Sequence, residues 1–231
     1  MTVSDPDLRI WIDYVFDHPV SDPAWHWAPE AACLTLTPTR EAELCAETFE
    51  RSEEMLQRFS SAQVDQGLDY LTSNMCSSHM FALLDPSVPE VTRLRAVRSF
   101  VPLFETTMRR RCSERLSHLN EPGTDPLNSS CYMWWDRLPF CPSPPHDEDS
   151  RLGGDQGLQT RFDEETLRVM TRILGIPHDA CRESALHGLG HWHLGYPDEV
   201  SSIIDRFLLS SPALREELRV YADAARRGMV L

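Results

Sequence analysis

Three residues of one short segment have the types and spacing of metal ligands. Glu183, His187 and His191 fall at i, i+4 and i+8 in the run Glu183-Ser-Ala-Leu-His-Gly-Leu-Gly-His-Trp192. On a helix turning about 100° per residue they lie at about 0°, 40° and 80°, a single stripe. Cys181, Ala185, Leu189 and Trp192 fall between about 160° and 240° on the same scale and form the apolar face. The carboxylate and both imidazoles are therefore expected to point away from the apolar seam. One carboxylate with two imidazoles can hold zinc or iron. His193, at about 280°, is off the stripe, so a further ligand has to come from another element, with His79 and His118 as nominees. The plainer alternative is that these imidazoles bond to neighbouring carbonyls or acids. His79 itself falls on an apolar stripe and reads first as a core histidine.

No catalytic set is complete. The chain has no HExxH, no nucleophile elbow and no phosphate-binding glycine loop, so catalytic residues stay unassigned. Two further groups could bind a ligand. Between residues 93 and 115 seven arginines stand against two glutamates, and Arg93, Arg109, Arg110 and Arg111 are candidates for an anion. Their structural alternative is pairing with Glu41, Glu43, Glu47, Glu50, Glu53 and Glu54 upstream. Trp25, Trp27, Trp134 and Trp135 sit in aromatic clusters and are candidates for contact with a protein partner, or else for core packing.

Composition bounds the rest. The chain has 231 residues, a net charge of −14, and 22 basic residues, all of them arginine. A pI near 5.0 argues against a phosphate-neutralising nucleic-acid binder. No apolar run approaches the length of about 20 residues that a membrane helix needs. The N-terminus MTVSDPDLRI does not read as a secretory signal. Seven scattered cysteines without a CxxC pair suggest neither a disulfide framework nor a zinc knuckle. A cytoplasmic protein with buried thiols is expected.

Periodicity of three and four dominates, so the spacing predicts an all-α array in one domain. Its parts are N-terminal helices over 1–119, an aromatic and proline-rich loop over 120–160, and a helical end over 161–231. Helices are expected from Ser4 or Asp5 with Pro6 in the first turn, from Pro38 with Thr37 as cap, and from about Ala62 to Leu84. Another is expected behind a capping box at Ser87-Val88-Pro89-Glu90, with a kink or break at Pro102. In the loop, Tyr132 to Trp135 should dock on the helical body, and the stretch 144–157 should be mobile. Four short helices close the chain, starting near Asp163, Pro177, Pro197 and Pro212.

Residues 163–227 carry a pattern. Ala185, Leu186, Leu189 and Gly190 end one helix, Pro197 and Asp198 make a tight turn, and Val200, Ile204 and Leu208 line the next. This resembles a HEAT-like repeat, with histidines at 187 and 191 as departures, and the whole chain resembles an uncharacterised bacterial protein family. The HEAT-like resemblance implies a helical face for protein recognition. The leading expectation is a non-catalytic module that binds another protein, such as an immunity-type inhibitor or scaffold, without cofactor, nucleic acid or membrane. The alternative is a zinc- or iron-dependent enzyme built on Glu183, His187 and His191.

Overall fold

In the computed structural model, which describes residues 6–28, 34–73, 75, 77, 79–140, 142 and 156–230, the chain is all-α, with no strand among the described residues. Helices begin where proline or a hydroxyl is placed to start them. Described from Pro6 onward, α1 (Pro6–Phe16) buries Leu8, Trp11, Ile12, Val15 and Phe16, with the expected start at Ser4 or Asp5 outside the described residues. Thr37 caps α2 (Pro38–Glu50), its hydroxyl accepting the Arg40 N–H at 3.3 Å. After the short α3 (Ser52–Met55), Ser60 and Gln63 form a reciprocal capping box for α4 (Ser61–Thr72).

The helix expected to run on to Leu84 stops at Thr72. Ser73 is extended, and the Ser77 hydroxyl donates to the Tyr70 carbonyl at 2.6 Å. Serine side chains here satisfy the helix end in place of a further turn, and among the described residues a 3-10 turn, His79–Leu84, follows. The cap expected at Ser87 is likewise absent. Its N–H and hydroxyl both donate to the Asp85 carboxylate, at 2.8 and 2.6 Å, so α5 (Glu90–Arg98) starts without a side-chain cap. The break expected at Pro102 is a change of register: α6 (Phe100–Pro102) passes into a π-helical turn, Leu103–Met108, and then α7 (Arg109–Arg111).

Part of the segment 120–160 is helical. It contains α8 (Leu127–Tyr132) and α9 (Trp134–Arg137). Trp134 is fully buried, with Phe49, Phe100 and Phe104 edge-on around it. The stretch expected to be mobile lies, as far as residue 155, outside the described residues. Beyond it come α10 (Gln156–Leu174), α11 (Asp179–Trp192), α12 (Pro197–Ser210) and α13 (Glu216–Ala225). Thus α10 begins a full two turns before Asp163, and α13 begins after Pro212 rather than at it.

Helix α11 is the hub, because α8, α9, α10, α12 and α13 all pack against it. With neighbours on several sides, nearly every residue of α11 is buried, Glu183, Ser184 and His187 included. This corrects the expectation that the Glu183/His187 side of the helix faces away from the core. A hydrophobic face locates one partner, but α8, α9 and α13 cover the other side as well.

The arginines are mostly structural. Arg95 makes a two-bond fork with Glu50 at 2.9 and 2.7 Å, and Arg110 pairs with Glu53, as the upstream acids allow. Other acids choose differently: Glu41 meets His79, Glu54 meets Arg51, and Arg98 reaches Glu165. Arg93 is buried and donates to the Asp85 carbonyl at 2.7 Å. Arg111 donates to the carbonyls of Phe59 and Leu56 at 2.8 and 2.7 Å. Arg93 thus spends one guanidinium nitrogen and Arg111 two on backbone carbonyls, whereas Arg109 and Arg110 are exposed.

Arg111 reaches the two carbonyls with two different nitrogens of a planar fork, whereas an ammonium would have to serve both from a single nitrogen. Arg111→Lys should lower the melting temperature by about 4 °C, whereas Arg110→Lys, at an exposed pair, should change it by less than about 1 °C. Equal shifts in thermal denaturation would show that the two arginines are equivalent and the account of Arg111 is mistaken.

Candidate metal centre

The site begins with a glycine. A Cβ at Gly188 would stand 2.5 Å from Cδ1 and Cγ of Trp135, so the indole of α9 lies directly on the backbone of α11. Only glycine permits that approach. The same device recurs at Gly190, where a Cβ would meet Val230 at 2.6 Å. With Trp135 seated on Gly188, its neighbour Asp136 turns toward the two imidazoles of α11. Oδ2 of Asp136 is 2.7 Å from Nε2 of His187, and Oδ1 is 2.9 Å from Nε2 of His191. The two Nε2 atoms are 3.2 Å apart. Ligand atoms of all three side chains lie within 4.8 Å of one another.

The surroundings hold these groups in place. His187 is buried, while Asp136 and His191 reach solvent. On the far side of the His187 ring, Nδ1 is 2.6 Å from the Tyr221 hydroxyl of α13, which lies 3.3 Å from the hydroxyl of Tyr132. Burial, followed by the hydrogen bond with Tyr132, raises the Tyr221 pKa, and burial raises that of Tyr132, so both remain phenols. Burial also opposes ionisation of Asp136, but hydrogen bonds and positive charge from His187 and His191 outweigh it and hold the carboxyl well below the usual range. An ionised carboxylate, two Nε2 atoms aimed at it and a tyrosine oxygen behind one ring are groups that could hold a metal ion with an outer partner.

The nominated residues divide between this centre and other duties. His187 and His191 are in it. Glu183 is on the same helix, but its carboxylate is turned to another loop. It accepts the Ser117 and His118 N–H groups at 3.0 and 2.9 Å and lies 2.6 Å from His118 Nδ1. His118 in turn stacks on Tyr221 with ring centroids 4.0 Å apart. Glu183 and His118 thus form a buried tie behind the centre. His79 is remote, held between Glu41 and Tyr70 at 3.2 Å each and edge-on to Trp11. Of the four tryptophans, Trp134 and Trp135 are buried, Trp25 is partly buried against His18, and Trp27 is half exposed.

Asp136, the third member of the cluster, carries no ligand-like spacing in the sequence. It follows the aromatic anchor Trp134-Trp135, so the available signal was a carboxylate one residue past a pair that had to dock. Beside it a cavity of about 270 Å³ opens, walled by Trp135, Leu138, Phe140, Pro142, Trp192 and Leu194, with Asp136 and His191 as its polar members. Compared with known families, curated proteins and solved structures, the chain matches none.

If the seat of Trp135 on Gly188 sets the position of Asp136, filling that space must disturb both. Gly188→Ala should cost about 1–3 kcal/mol, lowering the melting temperature by several degrees, and should change the near-ultraviolet circular dichroism of the buried tryptophans. An unchanged melting temperature and spectrum would show that the close approach is dispensable.

Proposed function

We propose that this chain binds one divalent transition-metal ion on Asp136, His187 and His191 and acts through it as a metal-dependent enzyme. One observation carries this reading: three donor groups from two helices converge with separations of 2.7, 2.9 and 3.2 Å. Ligands about 2.1 Å from one ion stand about 3.0 Å apart at a right angle and about 3.4 Å apart in a tetrahedron. The two Nε2 atoms, 3.2 Å apart, stand between these values, and the 2.7 and 2.9 Å contacts, made by different oxygens of Asp136, lie within about 0.3 Å of the right-angle spacing.

Proton bookkeeping supports the same reading. Without an ion, both imidazoles must point Nε2–H groups at one carboxylate, side by side. With an ion, both Nε2 lone pairs have a common acceptor, and the Nδ1–H of His187 donates to Tyr221. That arrangement of an imidazole ligand with its other nitrogen hydrogen-bonded is the one metal sites use. Two imidazoles and a carboxylate suit zinc or ferrous iron. Three protein ligands leave positions for water or a substrate, and a bound ion would supply Lewis acidity there. Asp136 and His191 face the cavity, so a ligand entering it would meet the open side of the centre.

The test uses the full chain purified without an affinity tag. Zinc or cobalt should bind with a stoichiometry of one, and about a thousandfold excess of ion over its dissociation constant should raise the melting temperature by about 10 °C. Because His191 reaches solvent, His191→Ala should retain the fold by circular dichroism while weakening the metal at least tenfold. Failure of the native chain to take up either ion would contradict the reading, as would uptake unaffected by His191→Ala.

A further inference from the structure

We propose that the cavity beside the centre takes a small organic monoanion, a carboxylate with a short apolar or aromatic tail. This deepens the metal reading and rests on it. Counted over its three ligands, a divalent ion held by one carboxylate and two neutral imidazoles keeps a net charge of +1, and the Glu183 carboxylate behind the centre is already bonded to the Ser117 and His118 N–H groups and the His118 ring. Among the described residues, Asp136 is the only charged side chain lining the cavity apart from the imidazole of His191. The nearest cation in sequence, Arg137, is directed away, to Asp69 at 3.2 Å and the Ser130 hydroxyl at 2.7 Å. The remaining positive charge would face a wall of Trp135, Leu138, Phe140, Pro142, Trp192 and Leu194. Leaving it uncompensated against such a wall is costly, and one anionic oxygen removes the cost.

The rest of the ligand follows from the wall and the volume. No described lining group besides Asp136 and His191 offers a charged or hydrogen-bonding side chain except the two indoles, so the tail has little to hydrogen-bond with. At about 270 Å³ the cavity lies just below the range of about 300–1,000 Å³ found for drug-sized ligands. A benzoate-sized molecule suits it better than a nucleotide or a peptide. Leu194 is 80% exposed beside the cavity, an apolar lip that a tail would cover. Each methylene buried there should tighten binding about fourfold.

The test is a ligand titration of the cobalt-loaded full chain, read by the visible absorption of the cobalt. Acetate, butyrate, benzoate and benzyl alcohol are the probes. Benzoate should bind at least tenfold more tightly than acetate, with butyrate between them, and at least tenfold more tightly than benzyl alcohol. Leu194→Asp, a change at an exposed position, should weaken benzoate about tenfold with the cobalt stoichiometry unchanged. If acetate matches benzoate, the apolar wall does not read the ligand. If benzyl alcohol matches benzoate, charge does not, and if Leu194→Asp has no effect the lip is not part of the site. Each of these results overturns the proposal and leaves the metal reading standing, whereas a chain that takes up no cobalt overturns both.

Discussion

The contact of Trp135 with the backbone at Gly188 is the constraint from which the site follows. It brings α9 so close to α11 that the residue after the indole has its carboxylate within hydrogen-bond reach of two imidazoles. A two-residue slide of α9 would leave His187 buried without its partner. The short helix cannot hold this position by itself, since four residues make barely one turn. Its place is set by burial: Trp134 enters a cage of three phenylalanines on one side while Trp135 rests on Gly188 on the other. The two adjacent tryptophans therefore act as a clamp, and the aspartate that follows is delivered by it.

Behind the centre, polar groups are arranged in depth. Tyr221 links His187 to the hydroxyl of Tyr132, and the ring of His118 stacks on Tyr221 while its Nδ1 meets the buried carboxylate of Glu183. Glu183 also satisfies two backbone N–H groups of the 117–119 turn. A carboxylate with no exposure is tolerable only when so fully bonded. The turn, α11 and α13 are consequently locked to each other around His187. Such preorganisation is what a ligand imidazole requires, because its ring orientation decides where the lone pair points.

Much of the helical framework is legible in the sequence, and the failures have local causes. Thr37-Pro38 starts a helix as its chemistry dictates, and Gly175 ends one. Ser87 has the spacing of a cap but is captured by Asp85, two residues away, before it can reach the helix. Continuous periodicity between Ala62 and Leu84 hides a stop, since Ser73 and Ser77 bond to backbone instead of letting the helix continue. The candidate site is legible only in part. His187 and His191 declare themselves by a spacing of four, but Glu183, at the same spacing, serves a turn 65 residues away in sequence. Nothing local distinguishes the two fates. Asp136 is found 51 residues before His187, and only the docking of α9 on α11 brings it there.

The absence of lysine also takes on a partial physical sense. Several arginines bind through two nitrogens at once, as Arg95 does to Glu50, Arg161 to Glu90 and Arg226 to Asp205, and the planar fork suits that pairing where an ammonium does not. The proposed chemistry, however, depends on one ion held by three side chains. Its most direct test is anomalous diffraction at the zinc edge from crystals of the full chain grown with zinc. A bound ion should give a single strong peak about 2.0–2.2 Å from Nε2 of His187, Nε2 of His191 and the Asp136 carboxylate. A featureless map at that point, with the three side chains ordered as they are here, would contradict it.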